Sequence, residues 1–250
     1  MPAAHVASRP SRPWSAVVGV VVFALVVIAG KLIVASPSWS ASEMAWVSAV
    51  NSTSHAFLDA VAYTVNYLLG PIGAVIVAAV IVSVLWALSR NWRLALRLAV
   101  LIAASWGTAE LTKSLVQRPR PDVDVLPHPS AVNPHTFSYP SGHTAFAVAI
   151  GLSVVLVFSP GLIRRALIGV SVVVVLITGW SRVYLGVHYP TDVLASMVLV
   201  PGVLIAVSFL LPNRTPFARY RRVASGAIAD PRRGGDRRGP APQRNDHAGC

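Results

Sequence analysis

The sequence predicts an all-α membrane protein: a bundle of six transmembrane helices with one further helix on its outer surface. Three observations predict it. The 250 residues are 54% hydrophobic and only 12% charged, and the mean hydropathy of +0.62 lies well above that of soluble domains of this size. The apolar residues gather into runs close to the ~20 residues that cross a bilayer. Short basic turns and polar connections separate those runs. The length suits one compact domain, residues 14–211, and leaves no room for a separate soluble one.

The first run, residues 14–35, follows a short N-terminus, residues 1–13, that carries Arg9 and Arg12. It is longer than the ~7–15-residue core of a cleaved signal peptide, so it is expected to be retained. Lys31 near its outer end can snorkel to the interface. Residues 36–54 read as a polar connection. Over residues 56–69, Phe57, Leu58, Val61, Val65, Leu68 and Leu69 recur at helical spacing opposite Asp59, Tyr63 and Asn66, which is the pattern of a helix lying on a membrane surface. Gly70-Pro71 interrupts it, and residues 72–88 form the second span. Arg90, Arg93 and Arg97 mark a basic turn before the third span, residues 94–112, whose outer end carries Glu110 and Lys113. A polar, proline-rich connection covers residues 113–140. The fourth span is expected over 141–163, the turn at Arg164 and Arg165 follows, and the fifth and sixth spans cover 166–184 and 190–211.

Residues 212–250 are rich in Arg, Gly, Pro and Asp and offer almost nothing apolar to bury, so they read as a disordered basic tail. Such a tail contacts anionic lipid head groups, at about 1 kcal/mol per Lys or Arg near the surface. The net charge of +12 therefore does not imply nucleic-acid binding, because the cations stand in clusters between apolar runs. Arg9, Arg12, Arg90, Arg93, Arg97, Arg164, Arg165 and the nine arginines of the tail share one side. The positive-inside rule makes that side, and both termini, cytoplasmic in a multi-pass plasma-membrane protein. Four of the remaining five cations, Lys113, Arg118, Arg120 and Arg182, lie on the opposite side against this bias and need another explanation. Cys250 is the single cysteine, so neither an internal disulfide nor a thiolate metal site is expected. Trp14, Trp39, Trp46, Trp92 and Trp180 fall near the expected interfaces, where aromatic belts account for them.

Three polar segments meet at the outer helix ends: Lys113 to Pro121, Pro140-Ser141-Gly142-His143, and Ser181 to Asp192. Lys113, Arg120 and Arg182 make a cationic cluster suited to a phosphate, with the arginines offering forked donors and the lysine a point charge. Ser141 and Gly142 open the fourth helix, where unpaired backbone N–H groups and the helix dipole favour an anion. His143 and His188 bring two imidazoles. Asp192, one helical turn after His188, can hold its Nδ1–H and fix the tautomer.

Lys, six residues, Arg-Pro; then Pro-Ser-Gly-His; then Ser-Arg, five residues, His, three residues, Asp: in this order and spacing the chain resembles the type 2 phosphatidic acid phosphatase superfamily, whose members also include vanadium haloperoxidases. The match is complete at Lys113, Arg120-Pro121, residues 140–143, Ser181-Arg182, His188 and Asp192, and spans about a third of the chain. The resemblance implies an extracytoplasmic, metal-independent and cofactor-free phosphatase acting on a membrane lipid phosphate such as a polyprenyl diphosphate, phosphatidic acid or phosphatidylglycerophosphate. His188 would be the nucleophile and form a phosphohistidine, His143 the acid, and Asp192 the orienting group. Lys113, Arg120, Ser141, Gly142 and Arg182 would hold the phosphoryl oxygens. The competing readings are a lipid-phosphate binder or transporter that holds the same anion without cleaving it, and a haloperoxidase. Arg118 lies outside the matched positions and is open to two readings, substrate binding or simple solvation. Glu110 is expected to pair with Lys113 or a neighbouring Arg, and His55, His128 and His135 to be solvated loop residues, His135 standing near enough to residues 140–143 for a substrate contact.

Overall fold

The computed structural model describes residues 12–132, 134–158 and 160–210, and every regular element among them is helical. Eight α-helices follow one another: α1 Arg12–Val34, α2 Pro37–Asn51, α3 Ala56–Leu68, α4 Pro71–Ser89, α5 Trp92–Val116, α6 Gly142–Val157, α7 Leu162–Tyr184 and α8 Pro190–Leu210. A single 3₁₀ turn, Val123–Val125, interrupts the α5–α6 connection. The expected tail and most of the expected N-terminal segment lie outside the described residues.

α1, α4, α5, α7 and α8 are each long and apolar enough to cross a membrane. The fourth expected span is shorter than the sequence suggests, because α6 stops at Val157 with Phe158 already extended (φ −88°, ψ 141°). Its 16 residues rise only about 24 Å, short of the ~30 Å hydrocarbon core. α6 is nonetheless the centre of the bundle. It packs against α5, α7 and α8, and Ala145, Val148 and Ala149 join Leu101, Ala109 and Val116 of α5 and Ala195, Leu199 and Val203 of α8 in one buried cluster.

α1 closes on α8 through small residues. A Cβ added at Gly19 would lie 2.5 Å from the Ala206 methyl, and one at Gly202 would lie 2.7 Å from Val22 Cγ1, so these glycines permit a close backbone approach of the kind membrane helices use. Several hydroxyls inside the bundle bond to their own helices, as in Ser105 Oγ to Leu101 O (2.8 Å) and Thr112 Oγ1 to Thr108 O (2.8 Å). The outward surface is the reverse: Val20, Leu25, Ile72, Val75, Leu162 and Val170 are exposed, as a lipid-facing surface requires.

Two corrections concern the segments between α1 and α4. Residues 36–54 are not an irregular polar connection but contain α2, begun by Pro37 in its first turn and burying Glu43, Val47 and Asn51. α3 coincides with the expected surface helix, yet its polar face is the one turned to the protein: Asp59, Tyr63 and Asn66 bond to α7 or the α5–α6 connection, while Phe57, Tyr67 and Leu68 stand exposed. His55 is more than a solvated loop residue, since its Nδ1 accepts the Phe57 N–H and caps α3.

Candidate active site

α5 ends where α6 begins, and α7 ends where α8 begins, so the three motif segments converge at one end of the bundle. α5 runs a turn beyond the expected limit, closing with Gln117 in the left-handed conformation (φ 60°), and this buries Lys113 inside its last turn. Ser141 caps α6 by accepting the Thr144 N–H. Gly186 takes a left-handed conformation (φ 69°) in the α7–α8 turn, with Leu126 packed where a side chain would stand. The Arg182 carbonyl accepts both the Val187 and His188 N–H groups, which fixes His188 above the start of α8.

A cavity of about 290 Å³ opens among these ends, lined by Lys113, Arg120, Gly142, His143, Arg182 and His188 together with Asn66, Trp106, Glu110, His135 and Thr136. The predicted residues that do not line it are Ser141 and Asp192, both wholly buried beside it. The Ser141 hydroxyl is engaged in the α6 cap, accepting from Thr144 Oγ1 at 3.0 Å. Gly142 lies directly beneath the lysine: a Cβ there would stand 2.9 Å from Lys113 Nζ. Lys113 Nζ pairs with Glu110 Oε1 at 2.8 Å, the partner expected from the sequence.

His188 is held from two sides. Its Nδ1 faces Asp192 Oδ2 at 3.3 Å, and that same oxygen accepts the Tyr189 N–H at 2.9 Å. With Nδ1 as donor, Nε2 carries the free lone pair, and Arg120 Nη1 stands 3.1 Å from it. Burial, reinforced by the charges of Arg120, Lys113 and Arg182, pushes the His188 imidazole well below its ordinary pKa of 6.5, which favours the neutral ring. Burial also lowers Arg120 to about 10, which leaves it cationic.

Arg120 is oriented by backbone and hydroxyl oxygens rather than by a carboxylate: Nε donates to Thr136 O (2.7 Å), Nη1 to Val187 O (2.6 Å), and Nη2 to Thr136 Oγ1 (2.9 Å). Its charge is aimed but not neutralised. Arg182, fully buried, donates to Asn66 Oδ1 (2.9 Å) and Ala62 O (3.3 Å) of α3. His143 Nε2 lies 3.2 Å from Asn66 O, so one residue of the expected surface helix touches both the arginine and the second histidine.

Arg118 is neither solvated nor a lining residue. Its guanidinium lies 3.9 Å over the Tyr189 ring and is 1% exposed, with Nη1 on Asp192 Oδ1 (2.7 Å) and Nη2 on Glu43 Oε2 (2.7 Å). Sequence reasoning missed Glu43 and left Asn66 as a mere polar-face residue. The only signals were a carboxylate in an otherwise uncharged stretch and an amide on an amphipathic helix.

Residues 94–216 match the sequence profile of the PAP2 superfamily. An undecaprenyl-diphosphatase of Bacillus subtilis is 39% identical over 93 residues, which is 37% of this chain and 42% of that protein. Phosphatidylglycerophosphatase B of Escherichia coli is 36% identical over 80 residues, 31% of this chain and 30% of that one. The matches thus span less than half the length of these relatives. A crystal structure of a transmembrane PAP2-type phosphatidylglycerolphosphate phosphatase from Bacillus subtilis superposes with a TM-score of 0.63 at 20% identity, over 79% of this chain and 94% of the other, which establishes a shared fold. The profile begins within α5 and takes in the cavity-lining residues from Trp106 to His188, so that this part of the chain, with its motif spacing complete, is similar to the PAP2 superfamily.

Proposed function

We propose that this protein is an integral membrane phosphatase that hydrolyses a lipid phosphate monoester or diphosphate on the extracytoplasmic face through a phosphohistidine. The observation that carries the reading is His188: an imidazole with Asp192 behind its Nδ1 and, in front of its Nε2, a cavity rimmed by Arg120, Arg182, Lys113 and His143. A phosphate entering this cavity takes over the Arg120 N–H that now rests on Nε2. The freed lone pair attacks phosphorus, the bond to the lipid oxygen breaks, and that oxygen leaves with a proton from His143. Water, losing a proton to His143, then attacks the phosphoimidazole and releases phosphate and His188. The three cations and the first-turn N–H groups of α6 face the charge that builds on the equatorial oxygens.

A lipid leaving group is supported by an apolar groove of about 270 Å³ between α4 and α5, lined by Ala74, Ala78, Ala79, Ala99, Ala103 and Phe146. Trp106 lines both the groove and the catalytic cavity, so a chain lying in the groove ends at the reacting centre. The exposed apolar face of α3 supports a position at the membrane surface, and the arginine bias of the sequence supports an outward-facing site. Six crossings follow from this reading, with α6 reaching only partway by its own length. The relatives favour a polyprenyl diphosphate or phosphatidylglycerophosphate as substrate.

The test is phosphate release by detergent-solubilised protein from polyprenyl diphosphate, phosphatidic acid and phosphatidylglycerophosphate, with and without EDTA. Release from at least one lipid, unchanged by EDTA and abolished in a folded His188→Ala variant, is expected. Binding without release from any of them makes the protein a lipid-phosphate binder, and turnover by His188→Ala refutes the nucleophile.

A further inference from the structure

Behind His188 lies a buried charge network that the phosphate cradle does not use. Asp192 offers one oxygen to His188 and the other to Arg118, and Arg118 spends its second terminal nitrogen on Glu43 and on Ser40 Oγ (3.1 Å). Glu43 is itself pinned by the start of α8, accepting the Thr191 N–H at Oε1 and the Thr191 hydroxyl at Oε2, both at 2.8 Å. The side chains of Asp192, Arg118 and Glu43 are 0%, 1% and 9% exposed.

Without Glu43, Arg118 would cancel the carboxylate that faces His188. Two carboxylates on one guanidinium leave the triad with a net charge of −1 in a poorly screened setting. That charge matters because the ring becomes cationic as Nε2 bonds to phosphorus. We propose that Glu43 of α2 is a positioning residue for phosphoryl transfer, acting through Arg118 to keep the Asp192 carboxylate electrostatically effective toward His188. This rests on His188 being the nucleophile. The other charged and titratable groups that face His188 are Lys113 and Glu110 of α5, His143 of α6, Arg182 of α7, and Arg120 and His135 of the α5–α6 connection, with Tyr189 beneath Arg118. The hydrogen bonds of Glu43 run to Arg118 and Thr191 and to none of these groups.

Removing the Glu43 charge has a signature that mere disorder of the site does not share. In Glu43→Gln the cationic ring is less stabilised, so kcat for short-chain polyprenyl diphosphate in detergent falls about tenfold with little change in KM. For the same reason the acid limb of kcat/KM moves to lower pH, because His188 is harder to protonate. A loosened, wetter site would move that limb upward. Ser40 stands one turn before Glu43 and already touches Arg118 Nη2. Ser40→Asp added to Glu43→Gln is therefore expected to return both kcat and the limb toward wild type, and Ser40→Asp alone to move the limb upward. Orthovanadate, a mimic of the five-coordinate phosphorus, should inhibit Glu43→Gln more weakly.

A Glu43→Gln enzyme with wild-type kcat and pH profile overturns the proposal. So does a Ser40→Asp single variant with an unmoved limb, a result available even if Glu43→Gln fails to fold. His188→Ala, run alongside, separates the two readings: if it turns over, the nucleophile assignment fails first, and if it is inactive while Glu43→Gln is unaffected, only the role of Glu43 fails.

Discussion

Arg118 and Arg120 stand two residues apart on either side of Pro119, and the site treats them in opposite ways. Arg118 is sealed between two carboxylates and an aromatic ring, with its charge more than matched. Arg120 faces the cavity and meets only carbonyl oxygens, a hydroxyl and the His188 lone pair. The back of the site is closed and carries an excess of negative charge held by hydrogen bonds, whereas among the described residues the front carries positive charge whose one carboxylate partner is Glu110 on Lys113. A site built to receive an anion needs this division. Cations paired in advance would have to be unpaired by the substrate, and an unpaired charge behind the nucleophile would cost folding energy.

The sharpest way to break the comparison is to remove each guanidinium in turn. Arg118→Met leaves Glu43 and Asp192 as buried carboxylates without a counter-charge, a loss of about 3–5 kcal/mol that should appear as much earlier thermal unfolding in detergent. Arg120→Met leaves no buried carboxylate stranded, so it should unfold close to wild type while kcat falls about 10²–10³-fold. If Arg120→Met unfolds as early as Arg118→Met, the division into scaffold and cradle is wrong.

A second effect, smaller but with a definite sign, concerns pH. In the proposed mechanism His188 reacts as the neutral ring, and burial first and Arg120 next hold its pKa below 6.5. Removing Arg120 therefore raises that pKa, and the acid limb of kcat/KM should move up by about one pH unit. At pH 6 the variant would lose activity that the wild type keeps. This displacement is opposite to the one expected for Glu43→Gln, so the same titration read on both variants separates front from back.

Much of the front was legible in the sequence, because its residues are tied to one another by short fixed spacings within residues 113–192 and sit at ends of strongly apolar runs. The back was not. Glu43 meets Arg118 from 75 positions away, and nothing around it in a stretch of Ser, Ala and Trp announces burial. α2 is hidden for a related reason: Met44, Val47 and Val50 face the protein, but Trp39 and Trp46 are exposed and blur the helical period, and tertiary packing against Leu126, Val183, Tyr189 and Val193 supplies what the local pattern lacks. Arg118 and Arg120 could not be told apart from composition, since only the fold decides which one turns inward. The end of α6 was overestimated because apolar residues run on past Val157, while the backbone opens at Phe158 before Pro160 and Gly161.

α3 gives an intermediate case. Asn66 Oδ1 holds Arg182 Nη1, and its backbone carbonyl meets His143. Asn66→Ala keeps the carbonyl and removes only the support of Arg182, so activity should fall about tenfold, with weaker orthovanadate inhibition and an unchanged acid limb. Asn66→Asp sharpens the reading. It places a carboxylate on Arg182 that competes with the substrate phosphate, so KM should rise more than in the Ala variant. An Asp variant that binds substrate better than the Ala variant would mean that Arg182 is part of the scaffold, like Arg118, rather than part of the cradle.

The smallest expected effect lies farthest from the charges. Ala78 and Ala103 line the α4–α5 groove from facing helices, and their size leaves it open down to Phe146. Ala78→Leu fills part of that space with apolar atoms, which should leave folding and the phosphate chemistry untouched. A lipid chain lying in the groove would lose burial at about 0.8 kcal/mol per CH₂ displaced. KM for a long polyprenyl diphosphate should then rise severalfold, while a short soluble diphosphate is turned over as before, because the phosphoryl group meets the same Arg120, Arg182 and His188 in either case. Equal effects on long and short substrates would place the chain elsewhere, and the neighbouring opening of about 340 Å³ beside Tyr67, Ile72 and Val132, which also reaches His143, would be the next path to block.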